Sequence, residues 1–493
     1  MITLLMLVPI AVPALAAAIY AVVRWRPETV WVSAASSAVV LAAAIALATN
    51  VAQRGPHTAV AGLLRADALS AFMLIVIGAI ALLATAATPA HLRAEILAGR
   101  ADQRTASRHS LLVQLFLAAM ALAVLAANIG LLWIAVEGTT IATAFLVGQR
   151  RTRSAIEAAW KYVVICSTGI ALALLGIILL NYVSQHTPAP AGLDWTGLAS
   201  SAGSLDPGVT RIATVLLILG FGTKAGLAPM HAWLPDAHSQ APAPVSALMS
   251  GVLLSVAFYA ILRVKVIADA ALGIGFARAL LVGIALASLA LAASLLLAQR
   301  DYKRMLAYSS IEHMGLLALG AAAGSRLAIA AVLLHIAGHG LAKGVLFLVA
   351  GRVLQTTGTS RIDGVRGLAA RQPLVAGCLG FGVLALIGLP PFSLFASELG
   401  ITRAGFATGL GWATAAALVL VLVIAAALVT HTSRMLLGTP PDGPGTASAP
   451  LHMPAVTATA LVAGLLASAA LGLTAGPLQP LLHLAADILA GTR

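Results

Sequence analysis

Gly222-Thr-Lys224-Ala-Gly-Leu-Ala-Pro229, running on through Met230-His231-Ala-Trp-Leu to Pro235, interrupts an apolar run that spans about residues 209–237. Proline removes a backbone donor and clashes with the preceding turn, so a helix here should open. Non-helical backbone at membrane depth survives only where protein or water satisfies it. A second stretch has the same character: Gly388-Leu-Pro390-Pro391-Phe-Ser-Leu-Phe-Ala-Ser-Glu398. Counting apolar runs, the two breaks fall in helices seven and twelve, five spans apart. Interrupted helices at matching positions of two halves point to repeats and a transport path. An odd offset reverses topology, so the halves should be related by inversion.

Around these breaks the rest of the chain reads as membrane spans. Of 493 residues, 60% are hydrophobic and 9% charged, with a mean hydropathy of +1.00. Soluble globular proteins carry roughly 25% charged residues, so a water-soluble surface is excluded. The apolar residues recur in runs of about 20, enough to cross a ~30 Å hydrocarbon core as a helix. A β-barrel would need short alternating segments, and these runs are continuous. Taking charged or Pro/Gly-rich stretches as loops predicts fourteen helices, at about 2–23, 29–52, 66–88, 110–127, 129–149, 158–182, 209–237, 242–266, 275–298, 303–323, 325–356, 373–404, 409–437 and 452–474. The first run lacks a basic leader and is followed by many others, so it reads as a helix rather than a signal peptide. The stretch from Pro477 is too short and interrupted for a further span. The expected fold class is an all-α polytopic membrane protein.

The formal net charge of +13 is scattered over short loops, which leaves no footprint for nucleic acid. Cys166 and Cys378 both lie inside apolar runs and give no disulfide or paired-cysteine signal. Basic residues favour one side. Loops following odd-numbered helices hold about 18 Lys and Arg against about 9 on the other side. Odd loops should therefore be cytoplasmic, with both termini on the opposite face of a bacterial inner membrane.

Charged side chains at the bilayer centre cost at least ~2.5 kcal/mol and are functional candidates by default. Glu137 sits in Leu131-Leu-Trp-Ile-Ala-Val-Glu137-Gly, Lys224 one turn before Pro229, and Glu398 seven residues past Pro391. The bland alternative for each is a helix-end charge that snorkels to the interface. In helix eleven, His335, His339 and Lys343 fall at i, i+4 and i+8, on one face and rising about 6 Å per step. Three titratable groups on a stripe form a ladder for proton hops through water, and histidine's ordinary pKa of about 6.5 suits it. Satisfied core histidines are the competing explanation. Metal or haem ligation is disfavoured, because no HExxH occurs and no second helix carries a partnering histidine pair. His231, His238 and His313 lie near helix breaks or ends and are weaker candidates; Glu312 and His313 also suit a simple hydrogen-bonded pair.

Asn128-Ile-Gly-Leu-Leu-Trp-Ile-Ala-Val-Glu137, Gly220-Phe-Gly-Thr-Lys224 through Ser239, and the helix-eleven stripe resemble the antiporter-like subunits of respiratory complex I, Mrp-type cation/proton antiporters and membrane-bound hydrogenases. Ala307-Tyr-Ser-Ser-Ile-Glu312-His-Met-Gly, Glu157-Ala-Ala-Trp-Lys161-Tyr and Leu389-Pro-Pro-Phe resemble most the component F subunit of hydrogenase-4 and formate hydrogenlyase complexes. The resemblance implies a three-helix segment at 1–109, two inverted five-helix repeats at 110–266 and 267–437, and a C-terminal helix and tail at 438–493. It also implies half-channels joined by a central polar axis. Glu137 matches the fifth-helix glutamate, Lys224 the seventh-helix lysine paired with it, the stripe the central axis, and Glu398 the terminal twelfth-helix residue. This chain departs at Ser255, where many relatives place an eighth-helix lysine. The relay there would depend on water, on Ser255 or on His238. No long lateral amphipathic helix is visible after residue 475.

The expected function is proton translocation in the membrane arm of a redox-driven complex, with no cofactor or metal in this chain. Its partners would be other membrane-arm and peripheral redox subunits. The alternatives are an Mrp-type cation/proton antiporter subunit and a membrane anchor whose charges do not conduct.

Overall fold

The computed structural model describes residues 2–188, 190–438 and 453–490. The spans are α1 (Ile2–Val22), α2 (Val32–Arg54), α3 (Ala68–Leu97), α4 (Gln103–Leu125), α5 (Ile129–Val147), α6 (Arg153–Gln185), the divided α7a (Pro207–Ala225) and α7b (Trp233–Gln240), α8 (Ala243–Leu272), α9 (Ile274–Leu297), α10 (Tyr302–Ala323), α11 (Arg326–Thr357), the divided α12a (Pro373–Leu386) and α12b (Ser393–Ala407), α13 (Gly411–Leu436) and α14 (Ala455–Leu473). Among the described residues, twelve helices are long and apolar enough to cross a membrane; α10, which carries Lys303, Arg304 and Glu312, is not among them, and α12a is a shorter apolar helix. The protein is thus an all-α polytopic membrane protein. The predicted start of α14 at 452, and much of the tail from 439, lie outside the described residues.

Local chemistry sets the helix starts. A helix leaves its first backbone N–H groups without partners, and a short polar side chain supplies them. Asp67, Asp102, Asn128, Thr152, Asp206, Asp301 and Ser325 each accept such a bond at the head of α3, α4, α5, α6, α7a, α10 and α11. Because caps rather than hydropathy decide these positions, α4 begins at Gln103 and α6 at Arg153, each several residues before its predicted apolar start. A short antiparallel hairpin, His57–Ala59 with Leu64–Ala66, joins α2 to α3 and was not foreseen. A short amphipathic helix, Gln479–Leu489, follows α14, with Leu481, Leu482, Ala485, Ala486 and Leu489 buried.

Both breaks are present. α7a stops at Ala225 against left-handed Gly226, and α7b starts at Trp233, so Pro229 lies in open chain. Pro235 does not break a helix: it occupies the first turn of α7b, where a missing N–H costs nothing. The second gap runs from Ile387 to Phe392 and contains Pro390 and Pro391. The Ala228–Pro229 and Pro390–Pro391 bonds are cis.

Burial ranks the spans. The most apolar window of α8 is 100% buried and that of α11 94%, against 17% in α14 and 28% in α1. The first two therefore form the bundle axis and the others lie at its periphery. α8 carries one π-helical turn at Met249–Leu253, a distortion found mostly at functional sites. There the backbone of Gly251 lies against that of Gly340 on α11; a Cβ on Gly340 would stand 2.9 Å from the Gly251 carbonyl oxygen and 2.2 Å from Ile80 Cδ1.

Candidate functional site

Lys224 is the penultimate residue of α7a, fully buried, and reaches toward α5 and α6. Its Nζ donates to Thr140 Oγ1 at 2.8 Å and to the Tyr162 hydroxyl. The Tyr162 hydroxyl also shares a 2.6 Å hydrogen bond with Thr143 Oγ1. Trp233, opening α7b, closes over the Tyr162 ring at 4.9 Å between centroids and donates its indole N–H to the Thr223 carbonyl at 2.9 Å. The Thr223 carbonyl, in the last turn of α7a, accepts both the Gly226 N–H that caps the helix and the indole that lies over the lysine cage.

Glu137 lies on α5 one turn from Thr140, half-buried, with Oε2 shielded and unbonded. No ion pair within 4 Å joins it to Lys224 among the described residues. The expected direct acid–amine pair is replaced by hydroxyl contacts, since Thr140 and Tyr162 occupy the ammonium. A buried ion pair must overcome the desolvation of both charges, and neutral hydroxyls avoid the second charge.

The stripe on α11 faces α10. Lys343 Nζ donates to the Leu306 carbonyl at 2.6 Å and to Ser309 Oγ at 2.5 Å. His339, one turn toward the N-terminus, has both ring nitrogens buried and unbonded, and its ring lies 5.0 Å from that of His313. His313 Nδ1 and His335 Nε2 share a 3.0 Å hydrogen bond, and His335 Nδ1 meets Ser397 Oγ on α12b at 2.9 Å. One donor atom each of His313, His335 and Glu398 lies within 4.8 Å of the others. His313, a weaker candidate from sequence, therefore joins the stripe from α10, while His335 itself reaches α12b. The trio has ligand types suited to a metal, but its two facing nitrogens are already bonded to each other.

Glu398 is half-buried and folds back over the second break: a Cβ on Gly388 would stand 2.2 Å from its Oε2. Gly388 also has φ +67°, so the position favours glycine twice over. His238, stacked on Phe347 at 4.9 Å, and Ser255 on axial α8 are both fully buried, and neither has a polar side-chain partner. Ser250 and Ser310 share a 2.8 Å bond across the π-turn. Glu312 Oε2 is likewise buried and unbonded, so no Glu312–His313 bond forms. Leaving such groups unmet costs about 1–3 kcal/mol each, and internal water is what ordinarily satisfies them. His231 sits in the first break, bonded to the Pro229 carbonyl at 3.1 Å, apart from this row.

Several participants were not singled out from sequence. Thr140, Thr143, Tyr162, Ser309 and Ser397 carry no charge to mark them, though their spacing opposite Lys224 and Lys343 is regular. Lys303, counted among loop cations, is buried and donates to the Ser239 and Ala241 carbonyls at 2.7 and 2.9 Å. Arg263, inside predicted helix eight and not singled out there, is buried against Asp67 at 2.8 Å beneath Trp195.

A polytopic bundle with two interrupted spans and a buried row of lysines and histidines defines an antiporter-like membrane subunit, and the chain belongs to the transmembrane family described as NADH:quinone oxidoreductase/Mrp antiporter, matched over residues 126–424. Among individual proteins, it is 43% identical over 297 residues to a hydrogenase-4 component F homolog of Methylacidiphilum infernorum, a match covering 60% of this chain and 62% of the relative. Its fold resembles a chain of the membrane-bound sulfane sulfur reductase, an archaeal respiratory membrane complex (TM-score 0.85, 24% identity, 99% of this chain and 98% of that one). It also resembles a chain of the Mrp complex from Dietzia sp. DQ12-45-1b (TM-score 0.84, 23% identity, 99% and 98%). The chain spans about half to three-fifths of the length of the curated relatives it matches.

Proposed function

We propose that this chain translocates protons as a membrane subunit of a redox-driven complex related to hydrogenase-4, along Glu137, Lys224, His339, His313, His335, Lys343 and Glu398. The observation that carries this reading is the pair of fully buried lysines, Lys224 and Lys343, each bonded to hydroxyl or carbonyl oxygen and neither, among the described residues, neutralised by a carboxylate within 4 Å. A site of that kind holds or releases a proton with little rearrangement. Hydroxyls accept from an ammonium and donate to an amine equally well. On one side Tyr162 and Thr143 offer onward partners at hydrogen-bond distance; on the other, His313 and His335 are bonded to each other, and unbonded His339 would join Lys343 to them through internal water. Between them, His238, Ser250 and Ser255 would carry the relay through internal water, in place of the eighth-helix lysine of many relatives.

The division into inverted repeats at 110–266 and 267–437 belongs to this proposal, as do both termini on the non-cytoplasmic face of a bacterial inner membrane. Partner subunits would perform electron transfer and pass strain or charge to the Glu137–Thr140–Lys224 cluster. The test is to purify the complex with Lys224→Ala and compare electron transfer with proton pumping. Pumping per electron should fall while electron transfer persists. An unchanged ratio, also with Lys343→Ala and Glu398→Ala, would leave the chain a non-conducting anchor.

The Mrp-like fold supports a second reading, a subunit exchanging monovalent cations for protons. Vesicles lacking redox substrates separate the two, since an antiporter exchanges cations without an electron donor.

A further inference from the structure

Where α4, α5 and α6 meet at the end bearing the basic loops, a groove of about 530 Å³ opens to the outside. Its floor is apolar and exposed: Ile141 and Phe145 of α5 are 58% and 53% exposed, and Trp160 of α6 is 65% exposed. Its rim is cationic, formed by Arg108 and Arg151. Neither arginine makes an ion pair among the described residues. Nearby acids are engaged elsewhere: Glu95 with Arg100 and Arg150, Glu157 with Lys161, and Asp102 in capping α4. Arg108 rests over the Phe145 ring, 5.3 Å from its centroid, so the cation is held at the head of the apolar floor. His109 also lines the groove; it is 1% exposed, bonds Gln149 through Nδ1 at 2.8 Å, and its Nε2 has no partner.

We propose that this groove binds one anionic phospholipid, its phosphate between Arg108 and Arg151 and an acyl chain along Ile141, Phe145 and Trp160. Charge complementarity selects the headgroup, since basic residues beside a membrane surface attract anionic lipid. The apolar floor selects an amphiphile over a free anion, because a soluble phosphate would leave hydrocarbon-facing side chains uncovered. Trp160 beside the cationic rim matches the interfacial belt, where an aromatic ring sits at headgroup level. The proposal is independent of proton conduction.

The test is native mass spectrometry of the purified full chain, delipidated and titrated with phosphatidylglycerol or phosphatidylcholine of identical acyl chains. One phosphatidylglycerol should bind at roughly tenfold lower concentration than phosphatidylcholine. Arg108→Ala with Arg151→Ala should abolish that preference, and Arg211→Ala, exposed on α7a outside the groove, should not. Phe145→Ser should weaken both lipids. Equal binding of the two lipids by the unaltered chain overturns the proposal, a result that needs no variant to fold. So does displacement by millimolar inorganic phosphate, or cross-linking of Phe145→Cys to a neighbouring protein chain in the native assembly.

Discussion

Replacing Tyr162 with Phe removes one oxygen from the Lys224 cage, and with it the bond to Thr143, while keeping the ring. Lys224 has two side-chain partners, Thr140 Oγ1 at 2.8 Å and the Tyr162 hydroxyl. The phenyl ring keeps its packing against Trp233 at 4.9 Å. A hydrogen bond to a charged group contributes about 1.5–3 kcal/mol, and each 1.36 kcal/mol is tenfold in a rate. If the lysine passes its proton through this hydroxyl, Tyr162→Phe should lower proton flux roughly tenfold to a hundredfold. Redox turnover and the thermal unfolding midpoint should stay near those of the unaltered protein. Thr143→Ala, which removes the next hydroxyl and leaves both lysine contacts in place, should lower flux only severalfold. The assay is dye-reported acidification of inverted membrane vesicles, normalised to electron transfer. Flux within twofold of the unaltered chain in Tyr162→Phe would refute a path through the phenol.

Three further outcomes follow from close contacts. Gly388→Ala should both shift Glu398, 2.2 Å from the new Cβ, and strain a backbone at φ +67°, costing about 1–2 kcal/mol; it should lower flux and the unfolding midpoint together, whereas Glu398→Gln should lower flux alone. Gly340→Ala would press a methyl against Ile80 and the Gly251 carbonyl, and overpacking of this kind costs about 1–3 kcal/mol, read as earlier unfolding in a detergent thermal ramp. Asp67→Ala strands the buried Arg263 guanidinium at a cost of about 3–5 kcal/mol, and should unfold earlier than Asp363→Ala, which removes an exposed pair.

The spans were legible because charge and proline mark where hydrocarbon ends, and the α11 stripe because 3.6 residues per turn fixes which side chains share a face. What lies opposite that face is a tertiary matter. His313 engages His335 only because α10 is rotated to present Leu306, Ser309 and His313 together, and no local pattern in α10 encodes that rotation. Threonines and a tyrosine around Lys224 are too common in membrane helices to stand out until the folded chain gathers them. Pro235 illustrates the opposite case. The residue promised a break, but its rank in the first turn of α7b makes it harmless. Lys303, in the basic cluster at the head of helix ten, and Arg263, within helix eight, gave no sequence sign of burial; carbonyl and carboxylate partners from distant segments draw them inside.

The near-complete enclosure of α11 bears on how the chain is made. On its own, this helix would offer two histidines and a lysine to lipid, a poor passenger for release from the insertion machinery. Its main polar partners, Leu306, Ser309 and His313, belong to the segment synthesised just before it, and the axial α8 precedes both. A receptor is therefore standing when α11 arrives. Only Ser397 and Glu398 must be added later, which makes α12b the latch that closes over a helix already seated.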